Sequence, residues 1–174
     1  MAFDLGGILQ QYLGGVAGQG SPDAADHYAQ VAQSAPPDAL SHGLAAAFQS
    51  NQTPPFAEMV AQLFSHGTPQ QQAGMVTQLL ASLGPAALAM LANSGALKGL
   101  ATAGGAPPSS VAPDRASEMT PDQVKAIAEH AQQADSGIVE KMSGFYAQHP
   151  GLVKTLGGAV LTIALAKIAD RMKT

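Results

Sequence analysis

Five histidines, at positions 27, 42, 66, 130 and 149, give this chain its widest scope for metal or acid–base chemistry. A metallohydrolase helix sets two histidines four residues apart, with a glutamate between them, because positions i and i+4 share one helix face. No H-E-x-x-H run occurs, and His27, His42 and His66 have no second ligand at i+3 or i+4. His66 precedes Gly67 at an expected helix end, where a cation suits the helix dipole. Glu129 and His130, beside Asp135, read as a solvated polar face. The histidines are therefore expected to be exposed or capping groups. A metal site or hydrolase built on His27, His42 or His66 is kept as a second alternative.

Nucleophilic chemistry has less to rest on. The serines include no G-x-S-x-G elbow. The runs Leu5-Gly6-Gly7 and Leu13-Gly14-Gly15 lack the Lys-Ser/Thr pair that a phosphate-binding loop requires. Without cysteine there is no disulfide, thiol nucleophile or thiolate ligand. No catalytic, cofactor-binding or metal-ligating residue and no cofactor is expected, and the protein reads as a non-enzyme.

Charge narrows the partners. Residues 1–100 carry five acids and one base, a net of −4, whereas residues 101–174 carry seven of each. Neither part offers the basic face that phosphate backbones need, so nucleic acid is not an expected partner. Only 11% of residues are charged and 46% are hydrophobic, enough apolar material for a core. The first hundred residues are kept soluble mainly by Gln, Ser and His, a weak guard against self-association. The N-terminus has neither a positive n-region nor a long apolar h-region, which leaves cytoplasmic residence as the default.

The element that must organise the rest is the C-terminal stretch Pro150–Lys173, which reads as one long apolar helix. Twelve uncharged residues separate Lys154 from Lys167. They rise about 18 Å at ~1.5 Å per residue, against roughly 30 Å of bilayer hydrocarbon. Burying its large side chains, at about 1.5–3 kcal/mol each, is expected to outweigh the roughly 2 kcal/mol that Gly157-Gly158 costs a helix. Gly151, Thr155 and Ala159, with Gly158, Thr162 and Ala166, recur at i+4 and are expected to form a helix-packing or interaction face. The favoured reading is a core helix covered by its neighbours. Membrane association through this helix is the alternative.

The remaining elements follow from apolar spacing and Pro signals. Phe3–Val16 carries a helix stripe, Leu5, Ile8, Leu9, Tyr12, Leu13 and Val16, opposed by Gly6, Gly7, Gly14 and Gly15. Helix starts recur as Ser21-Pro22, Thr53-Pro54, Thr68-Pro69 and Thr120-Pro121, with Pro36-Pro37 and Gly84-Pro85 as variants. The hydroxyl caps free N–H groups, and Pro suits the first helical position because its missing N–H has no partner there. Sliding the chain by 32 residues lays Ser21–Ser50 over Thr53–Ser82 with the prolines in register, which predicts a duplicated helical hairpin. Stripes follow: Leu40, Leu44, Ala47 and Phe48; Phe56, Met59, Val60, Leu63 and Phe64; Met75, Val76, Leu79, Leu80 and Leu83. Ala86–Ala92 makes a short, almost wholly apolar helix.

Residues 101–119 break every periodicity and predict a flexible Pro/Gly/Ser linker. The expected organisation is thus an all-α fold with a helical module at 1–100, that linker, and a three-helix module at 120–174 ending in the long apolar helix.

The N-terminal LGGILQQYLGG, the Gln-rich short helices and the Gly-Pro junctions resemble the YidB-like group of small uncharacterised bacterial proteins. The high Ala and Gly content is similar to that of conserved hypothetical proteins of high-GC proteobacteria. The first resemblance covers residues 1–100 and implies an all-α fold, with no known activity and no functional residues to carry over. The function expected from the whole sequence is binding of another protein, or of a second copy, by a helical protein without catalytic chemistry.

Overall fold

The computed structural model describes residues 5–13, 23–95, 97 and 111–173. The chain is all-α: among the described residues there is helix and turn and no strand. In chain order the helices are α1 (Leu5–Leu13), α2 (Ala24–Ser34), α3 (Pro37–Phe48), α4 (Phe56–His66), α5 (Pro69–Ala81), α6 (Pro85–Ser94), α7 (Pro113–Ser117), α8 (Pro121–Ala134), α9 (Ile138–Ala147), α10 (Pro150–Val153) and α11 (Gly158–Met172).

Local chemistry sets most helix starts. Thr68 and Thr120 form full capping boxes: each hydroxyl accepts from the amide of Gln71 or Gln123, whose side chain accepts from the threonine amide in return. Pro37 and Pro85 open α3 and α6 without a side-chain cap. Thr53 departs from the pattern. Its hydroxyl donates to the carbonyls of Ala47, at 2.7 Å, and Ser50, at 2.9 Å, and so closes the end of α3. Two consecutive prolines, Pro54 and Pro55, delay α4 to Phe56. The Ser21-Pro22 start lies outside the described residues, as do residues 3–4 and 14–16 of the first stripe.

The chain divides into two compact units that interleave in sequence: residues 1–55 with 143–174, and residues 56–142. The division runs through α9 and differs from the linear order of modules read from the sequence. Nor do α8, α9 and α11 form one three-helix unit, since α8 belongs to the second unit and α11 to the first. The 32-residue register survives in the helix boundaries, with Ala24–Ser34 matched by Phe56–His66 and Pro37 by Pro69. The packing does not repeat: α3 lies mainly on α11, whereas α4 lies mainly on α8.

In the first unit, α11 packs against α3 most extensively and against α1 and α2 besides, while α10 packs on α2. The core comprises Leu9, Tyr12, Tyr28, Val31, Leu40, Leu44, Phe48, Tyr146, Val160, Leu161, Leu165 and Ile168. In the second unit, α4 packs on α8, α5 on α7 and α8, and α6 on α8. The three stripes read for α3, α4 and α5 are all buried. The almost wholly apolar α6 buries only Leu91, and Met90 is 60% exposed. It ends on Gly95, whose φ of 82° is the left-handed cap that glycine adopts without strain.

Two sequence expectations need correction. The stretch Pro150–Lys173 is not one helix. It breaks between Lys154 and Gly157, where Gly157 takes extended backbone (φ −61°, ψ 152°) ahead of α11. Leu152, Val153 and Leu156 are buried all the same, so the break takes Gly157 out of the helix and leaves Gly158 at its first position, away from a helix interior, without giving up their burial. The second correction is to residues 111–119, read as linker. They contain α7 and bury Val111, Ala116 and Met119, and the Val111 amide donates to the Thr77 hydroxyl at 3.1 Å. Residues 101–110 lie outside the described residues. No helix among the described residues is long and apolar enough to cross a membrane.

Candidate functional site

Two open clefts of the first unit lie along α1. This nine-residue helix presents Leu9 and Tyr12 inward and keeps Gly6, Gly7, Gln10 and Gln11 exposed. Tyr12 ties it to α2, its hydroxyl lying 2.6 Å from His27 Nδ1 with the two rings edge to face. A cleft of about 340 Å³ opens on one flank. Tyr12 and Leu13 of α1 line it with Ser50 and Gln52 of the turn after α3, and with Ile163, Ala166, Lys167 and Asp170 of α11. A second cleft of about 260 Å³ is walled by Gly6, Leu9, Gln10 and Leu13 of α1 and by Ala169, Met172 and Lys173 of α11.

Leu13 belongs to both clefts and is 37% exposed, and Met172, on the rim of the second, is 38% exposed. The walls are apolar, with Lys167 and Asp170 side by side one turn apart on α11. Such a surface suits apolar side chains flanked by polar ones, as a helix or extended peptide supplies. It holds no nucleophile–base pair: the Ser50 hydroxyl accepts from the Gln52 amide at 3.2 Å, and no histidine lines either cleft.

The histidines are dispersed. His42 and His66 are exposed; His27, His130 and His149 are half-buried. His149 Nδ1 lies 2.8 Å from the Phe145 carbonyl oxygen, with its ring 4.5 Å from the Phe145 ring. Among the described residues no three of His, Asp and Glu are grouped to hold a metal ion. Asp135 turns the chain between α8 and α9, its carboxylate accepting from Lys141 Nζ at 2.6 Å and from the Gly137 amide at 2.9 Å. The Lys141 hydrogen bond is the chief cause that holds its carboxyl below the usual range.

The six residues expected to share a packing face are separated by the break in the last stretch. Gly151 is exposed in α10 and Thr155 lies in the turn, its hydroxyl donating to the Leu152 carbonyl at 2.7 Å. On α11, Gly158 is half-buried, Ala159 exposed and Ala166 half-buried in the first cleft; Thr162 alone is fully buried, donating to the Gly158 carbonyl at 2.8 Å.

The close helix approach lies elsewhere, at Gly43 of α3. A Cβ there would collide with the Ile168 side chain and stand 2.8 Å from the Ala164 carbonyl oxygen. A glycine inside an Ala- and Leu-rich helix costs about 1 kcal/mol relative to Ala, and that was the signal in the sequence. Another internal feature left no sequence trace. The Tyr28 hydroxyl is buried without a hydrogen-bond partner among the described residues, and burial pushes its phenol, and that of Tyr146, well above the ordinary tyrosine range.

Compared with known proteins, the chain matches no family model, no curated protein and no solved structure. These comparisons leave the YidB-like resemblance of residues 1–100 without support or opposition.

Proposed function

We propose that this chain is a non-enzymatic helical protein that works by protein–protein interaction, self-association included, through the surface that α1 and α11 share. The observation that carries the reading is the pair of clefts flanking α1, with Leu13 and Met172 exposed on their rims. Large apolar side chains beside concave apolar walls gain free energy when a partner removes them from water. The low charge of the chain, 11% of residues, leaves little repulsion to oppose such contact. The apolar residues of α11, on which the membrane alternative drew, lie against α1, α2 and α3.

Light scattering across a concentration series tests the self-association form. Mass above the monomer is expected, and Leu13→Glu with Met172→Glu should return it to the monomer value. For another protein as partner, the same double variant should lose a partner that the parent chain retains in a pull-down. A strict monomer that retains no partner would overturn the reading.

A further inference from the structure

The charged side chains that line the two clefts all come from α11 and its C-cap. They are Lys167 and Asp170 in the first cleft and Lys173 in the second, and all three are exposed. The other wall, α1, reads LGGILQQYL and brings no charge. Set three residues apart, the three side chains run base, acid, base, with the lysines about 9 Å apart along the helix axis. Arg171, also exposed, adds a third base to this end of α11. Asp23, Asp26 and Asp38, the remaining acids of this unit among the described residues, line neither cleft. Asp26 stands 3.9 Å from Lys154, ahead of α11, and Lys167 lies about 14 Å along α11 from Gly158. Over such a distance physiological salt, with a Debye length of about 8 Å, screens the acid from the cleft. The exposed Leu13 and Met172 are therefore joined to a local excess of positive charge.

We propose that these clefts dock an acidic amphipathic segment of another protein, its apolar side chains against Leu13 and Met172 and its carboxylates against Lys167 and Lys173. This rests on the interaction reading above and names the partner's chemistry. Removal of apolar side chains from water supplies the affinity, and the charges select the partner and its register. The lining runs from Ile163 to Lys173, about 15 Å, a length that a segment of roughly three helical turns covers. A second copy is not the occupant the surface fits. The exposed large apolar side chains among the described residues are Leu13, Met90 and Met172. Two of these belong to the clefts themselves, and Met90 lies on α6, PAALAMLANS, which carries no carboxylate. A flat anionic bilayer fits less well than a segment, because the apolar walls are concave and Asp170 stands between the lysines.

Selection from a display library of random peptides of about 15 residues, long enough to span both clefts as a helix, tests this on the full chain. Selected peptides should carry Leu, Ile, Phe or Met beside Asp or Glu, and fluorescence anisotropy should show their affinity falling as salt is added. Lys167→Glu with Lys173→Glu should weaken them about tenfold. Replacing the acids of the peptide by lysine should restore binding to that variant, which a misfolded variant could not do. Selected peptides without an excess of acid, or ones that bind the double variant as well as the parent, would overturn the acidic partner while the interaction reading stands. Enrichment of no peptide overturns it as well, and parallel measurements then separate the readings. A dimer in light scattering leaves self-association standing, and retention on phosphatidylserine vesicles assigns the surface to a membrane. A monomer that retains no partner in the pull-down takes both readings down together.

Discussion

Replacing Gly43 by alanine adds one methyl group where α3 meets α11. On an open helix surface this change stabilises by about 1 kcal/mol, because alanine has less backbone freedom to lose. At this site the new Cβ collides with the Ile168 side chain and stands 2.8 Å from the Ala164 carbonyl oxygen. Ile168 is fully buried and a backbone oxygen cannot rotate away, so α3 and α11 must move apart. Overpacking of this kind costs about 1–3 kcal/mol, and a backbone clash belongs at the upper end. Set against the propensity gain, the net is a destabilisation of about 1–2 kcal/mol.

The chain carries its own reporter for this unit. It has no tryptophan, and its three tyrosines, Tyr12, Tyr28 and Tyr146, all fall in the unit that contains α3 and α11. Tyrosine fluorescence in urea should therefore show a lower midpoint for Gly43→Ala. Gly151→Ala, with nothing within 4 Å of its Cβ, should show no comparable loss. A Gly43→Ala protein as stable as its parent, or more so, would refute the close approach of α3 to α11.

Thr68→Ala and Thr120→Ala each remove a capping hydroxyl and should cost about 1 kcal/mol, read by far-UV circular dichroism in urea. Tyr28→Phe deletes a buried hydroxyl that has no partner among the described residues, so stability should hold or rise by up to about 1–2 kcal/mol; a clear loss in the same urea assay would contradict this. Because burial raises the folded-state pKa of Tyr28 and Tyr146, the stability they contribute is complete below the ordinary tyrosine range. It should fall as pH rises above that range, with phenolate absorbance from these two residues appearing only together with unfolding. Asp135 has the opposite sign: its folded pKa is depressed, so its contribution is present above the ordinary carboxylate pKa and fades as pH falls through the folded value. Carboxyl NMR should show Asp135 titrating below the ordinary aspartate value, and Lys141→Met should raise it.

Helix positions were largely legible because the signals are local. A threonine before a proline, with glutamine three residues after the threonine, satisfies the free amides of one turn whatever surrounds it, and Thr68 and Thr120 cap as that chemistry requires. Thr53 shows where local reasoning stops. Its hydroxyl donates back to the Ala47 and Ser50 carbonyls at the end of α3, a contact that the Thr-Pro pattern does not announce. The candidate site was less legible. Tyr12 and Leu13 stood in the stripe of the first helix, but nothing near them in sequence pointed to Lys167, Asp170 or Met172 across the clefts. Of the six residues chosen in the last stretch, Ala166 lines one of the two clefts, and the i+4 spacing presumed a single helix where the chain breaks before Gly158.

The sequence by itself determined the fold class, the majority of the helices and the apolar face each one buries, since caps and periodicity act within a few residues. Tertiary structure alone decided which faces meet. An apolar stripe gains much the same free energy against any apolar neighbour, so the choice of α11 for α3 and of α8 for α4 depends on shape across surfaces far apart in the chain. Gly43 makes the point at atomic scale: its missing Cβ is a local cost in α3, and it acquires a purpose only where Ala164 and Ile168 of α11 come to fill the space.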